Sequence, residues 1–141
     1  MILVRSMIAA NSQRAEQVPL MAERRMFLKR RWRGVAADGA EFGFDLESRL
    51  TSGAVIHQTD AADYIILQEP ENIYEIPFQT AKQAALIGWK LGNLHFPVEI
   101  MESTIRVSQD LAIKQLCERE GWPMGEACVI FNPLRVTPHA T

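Results

Sequence analysis

The sequence predicts an α+β protein in which a small N-terminal antiparallel β domain, residues 1–70, precedes a ferredoxin-like βαββαβ domain, residues 71–141. Two observations carry this prediction. Short strand-like runs separated by turn dipeptides fill the first half, and helical periodicity begins only after the acidic, proline-containing segment 69–72. The chain has 141 residues, 48% of them hydrophobic, which is enough for one core of usual size or two small ones.

Strands dominate the prediction for the first half. The runs 2–4, 31–36 and 41–46 are short and strand-like in composition. Asp38-Gly39 separates the last two runs, and an Asp-Gly pair in that place is typical of a tight hairpin turn. Ser52-Gly53 predicts a further turn. We therefore expect a small antiparallel β unit.

The second half alternates strands and helices in the order βαββαβ. Thr80 is predicted to cap the first helix, and Gly92 to end it. Ser108 or Asp110 is predicted to cap the second helix, and Gly121 to end it. Strands are predicted at 73–76, 98–101, 105–107 and 127–131. In this order, two helices cover one face of a four-stranded antiparallel sheet.

Composition excludes several classes of partner. The net charge of −2 and an isoelectric point near 5.9 provide no overall field toward nucleic acid or an anionic membrane, so neither is predicted as a partner. The apolar N-terminus is too short to span a bilayer and lacks a basic leader segment, which predicts a cytoplasmic protein. Cys117 and Cys128 lack redox-pair and zinc-ribbon spacing, and both are expected to be buried packing residues.

The chain contains three histidines, His57, His95 and His139, and no two lie at helical spacing. A closed metal site within one chain is therefore not predicted. His95 follows a predicted helix end, where its spacing alone favours a histidine stabilised by the helix dipole over a metal ligand. His57 is interpreted as a surface or strand-end residue.

A basic run covers residues 24–33, where six arginines and lysines are interleaved with Phe27 and Trp32. A solvated strand face is the favoured interpretation, a contact with a partner protein is second, and a phosphate or RNA contact is also open. The chain shows no nucleophile with an adjacent base, no phosphate loop and no paired carboxylates, so we predict that it is not an enzyme.

Residues 91–100, Leu-Gly-Asn-Leu-His-Phe-Pro-Val-Glu-Ile, resemble the Leu-Gly-Asn-Arg-His-x-Pro-x-x-Ile segment of the UreE family of urease accessory proteins. Leu94 stands where the family usually has arginine. Residues 33–46 also resemble the basic-strand, Asp-Gly-hairpin and Asp-Leu pattern of that family. The resemblance covers nearly the whole chain, although unevenly, and it reverses the interpretation of His95.

The resemblance implies a nickel metallochaperone with a partner- or peptide-binding N-terminal domain and a metal-binding, dimerising C-terminal domain. It implies that Ni(II) is held between the His95 side chains of the two subunits of a homodimer. The metal would pass to the urease apoprotein and a GTPase-containing maturation complex. Cu(II) and Zn(II) are expected to compete in vitro, because imidazole nitrogen also binds them well.

Two departures from the family make the predicted metal site sparse. Leu111 follows Asp110, where family members often have a histidine. The tail lacks a histidine-rich extension, which leaves His139 as a second candidate ligand that could cap the site, or as an ordinary tail histidine. The alternative function is therefore an interaction scaffold of the same fold with lost or altered metal specificity.

Overall fold

Two compact units make up the chain in the computed structural model, which describes residues 1–9, 14 and 16–135. Unit 1 comprises Met1–Glu69 and unit 2 comprises Pro70–Thr141. Sheets and two α-helices are both present, so the predicted α+β class is confirmed.

Unit 1 is built from two three-stranded sheets around one core. Its elements are β1 (Ile2–Val4), β2 (Glu16–Ala22), a 3₁₀-helix (Arg24–Leu28), β3 (Arg31–Val35), β4 (Glu41–Asp45), β5 (Val55–Gln58) and β6 (Ala62–Gln68). The strand orders are β1-β4-β3 and β2-β6-β5. Both sheets contribute to the core, since Phe42 and Phe44 of β4 belong to the same buried cluster as Leu20 and Ile66 of β2 and β6.

The hairpin between β3 and β4 forms at the predicted Asp-Gly turn. Gly39 has a φ of +89°, a left-handed value that glycine adopts without steric cost. The Asp38 carboxylate accepts hydrogen bonds from the backbone N–H of Ala40 at 3.0 Å and the hydroxyl of Tyr64 at 2.5 Å. The bond from Tyr64 is the main cause of the lowered pKa of Asp38. It also ties the hairpin to β6.

The expectation of a wholly antiparallel N-terminal domain is wrong. The pairs β3–β4 and β5–β6 are antiparallel, but β1 pairs with β4, and β2 with β6, in the parallel direction. Ile2 lies opposite Phe42, and Glu16 lies opposite Ala62. Turn signals report only on strands that follow one another directly, so pairings between such distant segments have no local signature.

Unit 2 confirms the predicted βαββαβ order. Its elements are β7 (Glu71–Pro77), α1 (Ala81–Asn93), β8 (Val98–Ile100), β9 (Thr104–Ser108), α2 (Leu111–Glu120) and β10 (Gly125–Val129). The sheet has the order β10-β7-β9-β8, and every pair in it is antiparallel. Both helices pack on one face of the sheet, with Ile87 and Leu91 of α1 and Ile113 and Leu116 of α2 in the same buried cluster as β7 and β9.

Two details at the end of unit 2 differ from the prediction. β10 ends at Val129, whereas the strand was predicted at 127–131. Phe131 lies beyond the strand and is nevertheless fully buried, so its apolar character indicates core packing rather than strand structure. Cys117 is buried as predicted, but Cys128 is exposed because β10 is an edge strand with β7 as its partner.

Candidate metal centre

Helix α1 leads directly to His95, and its start is set by the predicted cap. The Thr80 hydroxyl accepts a hydrogen bond from the backbone N–H of Gln83 at 3.1 Å. The Gln83 side-chain oxygen in turn accepts a hydrogen bond from the backbone N–H of Gln79 at 2.7 Å. This arrangement is a variant of the capping box, in which the bond to Thr80 satisfies an N–H that the first turn leaves without a partner and the second bond holds the residue before the cap. Ile87 and Leu91 then bury the inner face of the helix.

The end of α1 is a Schellman turn that places His95 at the first residue beyond the cap. The backbone N–H of Phe96 donates to the Leu91 carbonyl at 3.3 Å, and the N–H of His95 donates to the Gly92 carbonyl at 2.9 Å. These are the two hydrogen bonds that define the motif. Phe96 packs against the core cluster that contains Leu91, which supplies the apolar contact that commonly accompanies the turn.

His95 has a left-handed backbone with a φ of 64°. Among the described residues it is the one non-glycine residue with a positive φ. A side chain in this conformation crowds the backbone at a cost of roughly 1–2 kcal/mol, which is why glycine usually occupies the position. A strained backbone supports a functional hypothesis when the surrounding structure holds it in place, as the Schellman turn does here.

The His95 side chain is exposed. Its imidazole has no hydrogen-bond partner among the described residues. Within residues 1–9, 14 and 16–135, no group of three or more His, Cys, Asp or Glu side chains could hold a metal ion. The described part of one chain therefore offers a single available imidazole at this end of α1.

The other residues that the sequence singles out are not gathered beside His95. His57 lies in β5 of unit 1, half-buried, with its ring 6.0 Å from that of Phe42 and 5.7 Å from that of Tyr64. His57 was interpreted as a surface or strand-end residue; it lies one residue before the end of β5, and its ring is half-buried against aromatic side chains. His139 lies outside the described residues. Leu111 begins α2 and is 68% exposed, so that position presents an apolar side chain.

The chain after β10 returns to the strand that follows His95. β10 and β8 are the opposite edges of the sheet, about 14 Å apart at the usual strand spacing. Leu134 N–H nevertheless donates to the Val98 carbonyl of β8 at 2.7 Å. Residues 130–134 therefore connect one edge of the sheet to the other. The described chain thus ends at Arg135, close to the segment that carries His95.

An ion-pair cluster on the face opposite the helices joins three strands, and the sequence analysis did not predict it. Arg106 of β9 lies 3.0 Å from Glu75 of β7 and 3.4 Å from Glu99 of β8. The hydrogen bond that Arg106 donates to Glu75 is the main cause that raises the pKa of Arg106. The available sequence signal was that Glu99 and Arg106 each lie between two apolar residues. Their pairing with each other and with Glu75 depends on the register of the sheet. The cluster holds β8, which begins three residues after His95.

The outer face of α1 is apolar next to this site. Leu86 and Trp89 are exposed one turn apart, and Trp89 has 64% of its surface accessible. Leu94, directly before His95, is also exposed. An exposed tryptophan within an apolar group is typical of an interaction surface.

A shallow depression in unit 1 is not a second metal site. It has a volume of about 360 Å³ and lies over Gly43, with Leu3 and Arg33 among its lining residues. A carboxylate, Asp45, is the one potential metal ligand in this lining, and it forms ion pairs with Arg30 and Arg31. The depression therefore offers no set of donors for a metal ion.

Comparison with known proteins identifies the family of both the site and the fold around it. Residues 71–140 match the family model described as the UreE urease accessory protein, C-terminal domain. The urease accessory protein UreE of Beijerinckia indica is 32% identical over 105 residues, which cover 73% of this chain and 60% of that protein. UreE of Bacillus cereus is 26% identical over 117 residues, covering 81% of this chain and 78% of that protein.

A third relative shows how unevenly the lengths correspond. UreE of Bifidobacterium longum subsp. infantis is 28% identical over 94 residues, which are 67% of this chain but 42% of that protein. The chain therefore spans less than two thirds of several of its curated relatives. In the described part of the chain, neither helix is long and apolar enough to cross a membrane.

Proposed function

The chain belongs to the UreE family of urease accessory proteins, and from this premise we propose that it carries Ni(II) as cargo during urease maturation. Members of this family are accessory proteins, so the prediction that the chain is not an enzyme is confirmed at that level. The proposed partners are the urease apoprotein and a GTPase-containing maturation complex, and the proposed compartment is the cytoplasm.

The proposed metal ligand is His95, and its position is the observation that carries the proposal. The exposed imidazole belongs to a residue with a left-handed backbone, a conformation that glycine usually adopts at this position because it has no side chain to crowd the backbone. The described chain supplies one imidazole here and no further ligand cluster, and we propose that a second copy provides the other donor. Two chains related by a two-fold axis would bring two His95 imidazoles together, so one ligand per chain is sufficient.

The outer face of α1 supports this homodimer. Leu86, Trp89 and Leu94 form an exposed apolar surface on the element that ends at His95. Burial of such a surface against its two-fold copy gains hydrophobic free energy, with tryptophan typical of the most important contacts. Lys90, the charged residue beside Trp89, is already paired with Glu120 of α2. Self-association would therefore not bring this charge unpaired into the interface.

A two-histidine site suits a carrier. Divalent nickel accepts imidazole nitrogen readily but prefers four to six ligands, so two histidines leave positions for water or other groups. Because its coordination shell is incompletely filled, the nickel ion can be transferred to a site that offers more ligands. Cu(II) and Zn(II) would compete for the same nitrogens.

His139 is the proposed second ligand. The described chain ends beside β8, because Leu134 is hydrogen-bonded to Val98. Five further residues span up to about 17 Å, enough for a histidine at 139 to reach the end of α1. We expect His139→Ala to weaken nickel binding without abolishing it. Equal affinity in the variant and the original chain would show that His139 is not a ligand.

Isothermal titration calorimetry tests the main proposal. Nickel titrated into the full chain should bind with about one ion per two chains. His95→Ala should abolish this binding, whereas His57→Gln, which removes a histidine from unit 1, should leave it unchanged. Nickel binding that survives His95→Ala would contradict the proposal. Trp89→Ala should shift sedimentation velocity profiles toward the monomer and weaken nickel binding in parallel.

An interaction scaffold with lost or altered metal specificity is the second candidate function. It is favoured by Leu111, which places an exposed apolar side chain where family members often have a histidine. A scaffold should bind the maturation partners equally well with and without nickel, and His95→Ala should still support urease activation. If the chain is a nickel carrier, His95→Ala should still bind the maturation partners but should no longer support urease activation.

A further inference from the structure

The basic run 24–33 lies in unit 1, and the proposed nickel function does not use it. Six of its ten residues are arginine or lysine, and none is acidic. We propose that the open edge of β3, flanked by these basic side chains, binds an extended acidic segment of a partner protein by strand addition. This interaction needs no metal, so its test is independent of nickel binding.

The edge of β3 has backbone groups available for an added strand. β3 is the last strand in the order β1-β4-β3. Hydrogen bonds from Leu46 to Arg30 at 3.0 Å, and from Ala36 to Ala40 at 2.9 Å, identify the pairs that bond across to β4. By alternation, the backbone groups of Arg31 and Arg33 point away from β4. In the described part of the chain these outward groups have no backbone partner.

β2 approaches β3 near Gly34 and beyond its last residue. Ala37 N–H, beyond the end of β3, donates to the Pro19 carbonyl of β2 at 2.9 Å. A Cβ on Gly34 would lie 3.2 Å from the Leu20 side chain of β2, on the inner face of the sheet. The open part of the edge is therefore the stretch that contains Arg31 and Arg33, at the start of the strand.

The side chains along this open edge carry excess positive charge. Arg31 and Arg33 are exposed on the outer face of the sheet. Asp45 is shared between Arg30 and Arg31, with both separations at 3.3 Å. Lys29 and Arg33 have no carboxylate partner among the described residues. Additional carboxylates would therefore be attracted to this edge.

The charge pattern favours an acidic protein segment over a second copy of the chain. Two β3 edges paired with each other would place arginines opposite arginines, and like charges in opposed positions destabilise a strand pair. Charged side chains on an edge strand are a usual way of preventing such self-pairing. A strand with carboxylates in those positions would instead gain both the backbone bonds and the ion pairs.

The aromatic residues of the run disfavour single-stranded RNA as the occupant. Recognition of unpaired bases relies on exposed aromatic rings on which the bases stack. Phe27 is buried, and the Trp32 ring is stacked on Phe44 with 4.0 Å between the ring centroids. Phe27 is therefore unavailable as a stacking platform and one face of Trp32 is already covered, so backbone pairing and charge are the stronger means of recognition.

The register of β3 predicts the pattern of the partner segment. Alternate residues of an added strand share one face of the sheet. Two carboxylates separated by one residue would lie beside Arg31 and Arg33, and an apolar residue two positions further would lie beside exposed Val35. The expected segment therefore alternates acidic and uncharged residues and binds more weakly as salt concentration rises.

Fluorescence anisotropy with the full chain and no added nickel tests this inference. The probe is a short fluorescein-labelled peptide with glutamate at every second position and valine or threonine between them. It should bind at low ionic strength, and Arg33→Glu should weaken binding by about tenfold or more. Lys114→Glu makes an equal change of charge at an exposed residue of α2 and should leave the affinity for the peptide unchanged. Circular dichroism should show that both variants remain folded.

Two N-methylated forms of the peptide separate strand addition from simple charge attraction. Each form carries methyl groups on one of the two sets of alternate amides, with its charge unchanged. Strand addition predicts that one form binds like the parent and the other does not. Equal binding of both forms, loss of both, unchanged affinity in Arg33→Glu, or displacement of the peptide by a single-stranded oligoribonucleotide would each overturn the proposal.

Discussion

Helices α1 and α2 end with the same backbone motif but place different residues in its left-handed position. In α1 the N–H groups of Phe96 and His95 bond to the carbonyls of Leu91 and Gly92. In α2 the corresponding bonds run from Trp122 to Cys117 at 2.9 Å and from Gly121 to Glu118 at 3.3 Å. Both turns place an aromatic residue against the core of unit 2. The left-handed residue is glycine in α2, with a φ of 72°, and His95 in α1.

The comparison separates what the turn needs from what the site needs. Glycine meets the conformational requirement without a steric cost, as Gly121 shows. His95 meets the same requirement at a cost and adds an exposed imidazole. A histidine in this position is thus better explained by the chemistry of its side chain than by the stability of the turn. The following changes test that distinction.

The largest expected effects come from the two aromatic anchors. Phe96→Ala and Trp122→Ala should each lower the free energy of unfolding by about 2 kcal/mol, less than for a fully buried aromatic because both side chains are partly exposed. Urea unfolding followed by circular dichroism measures the loss. Calorimetry should show weaker nickel binding in Phe96→Ala only, because that residue holds the turn of His95. Equal nickel affinity in both variants would remove the distinction.

Gly121→Ala should have the next largest effect. A Cβ at this left-handed position should destabilise the chain by about 1 kcal/mol, although no neighbouring atom lies within 4 Å of the added carbon. The same urea titration measures the change. Restoring glycine at this position is the control. Nickel binding should be the same in the variant and in the original chain. An unchanged unfolding free energy would show that this position does not require glycine.

His95→Gly should produce a gain of stability together with a loss of function. Removal of the left-handed strain should stabilise unit 2 by about 0.5 kcal/mol, after the greater entropy of glycine in the unfolded chain is counted. Nickel binding should disappear. His95→Ala is the matched control, because it lacks the imidazole but keeps the strain, so it should be less stable than His95→Gly. The reverse order would contradict the strain at this residue.

An effect on stability no larger than that of His95→Gly is expected at the ion pair that links the two helix ends. Lys90 in the last turn of α1 is paired with Glu120 at the end of α2, and both side chains are partly buried. Lys90→Met should lower the free energy of unfolding by about 0.5 kcal/mol, and less at high salt. A double-mutant cycle with Glu120→Gln measures the pair itself. A coupling energy of zero would show that the helix ends are stabilised by packing alone.

Local signals predicted much of unit 2. Thr80 and Asp110 cap the helices, and Gly121 ends the second, as the sequence analysis expected. These features depend on contacts within four residues along the chain, and the residue types suited to them are few. The hairpin between β8 and β9 is also local, since a short connection determines its pairing. The position of His95 just beyond the first helix follows from the same signals.

Distant contacts were outside the reach of such signals. The parallel pairs of unit 1 join strands separated by many residues, and their sequence carries no mark of direction. Glu75, Glu99 and Arg106 alternate with apolar residues in their strands, but only the register of the sheet brings them together as ion pairs. Phe131 was predicted within a strand because an apolar run does not distinguish a strand from a buried connection.

The sequence by itself determined the α+β class, the element order of unit 2, the ends of its helices and the choice of His95 as candidate ligand, because short-range hydrogen bonds and a contiguous motif carry that information. Tertiary structure decided the exposure of the His95 side chain, the return of the chain to β8 and, among the described residues, the unpaired edge of β3. Each of these depends on which distant segments pack together, and so on burial and pairing that no local pattern records.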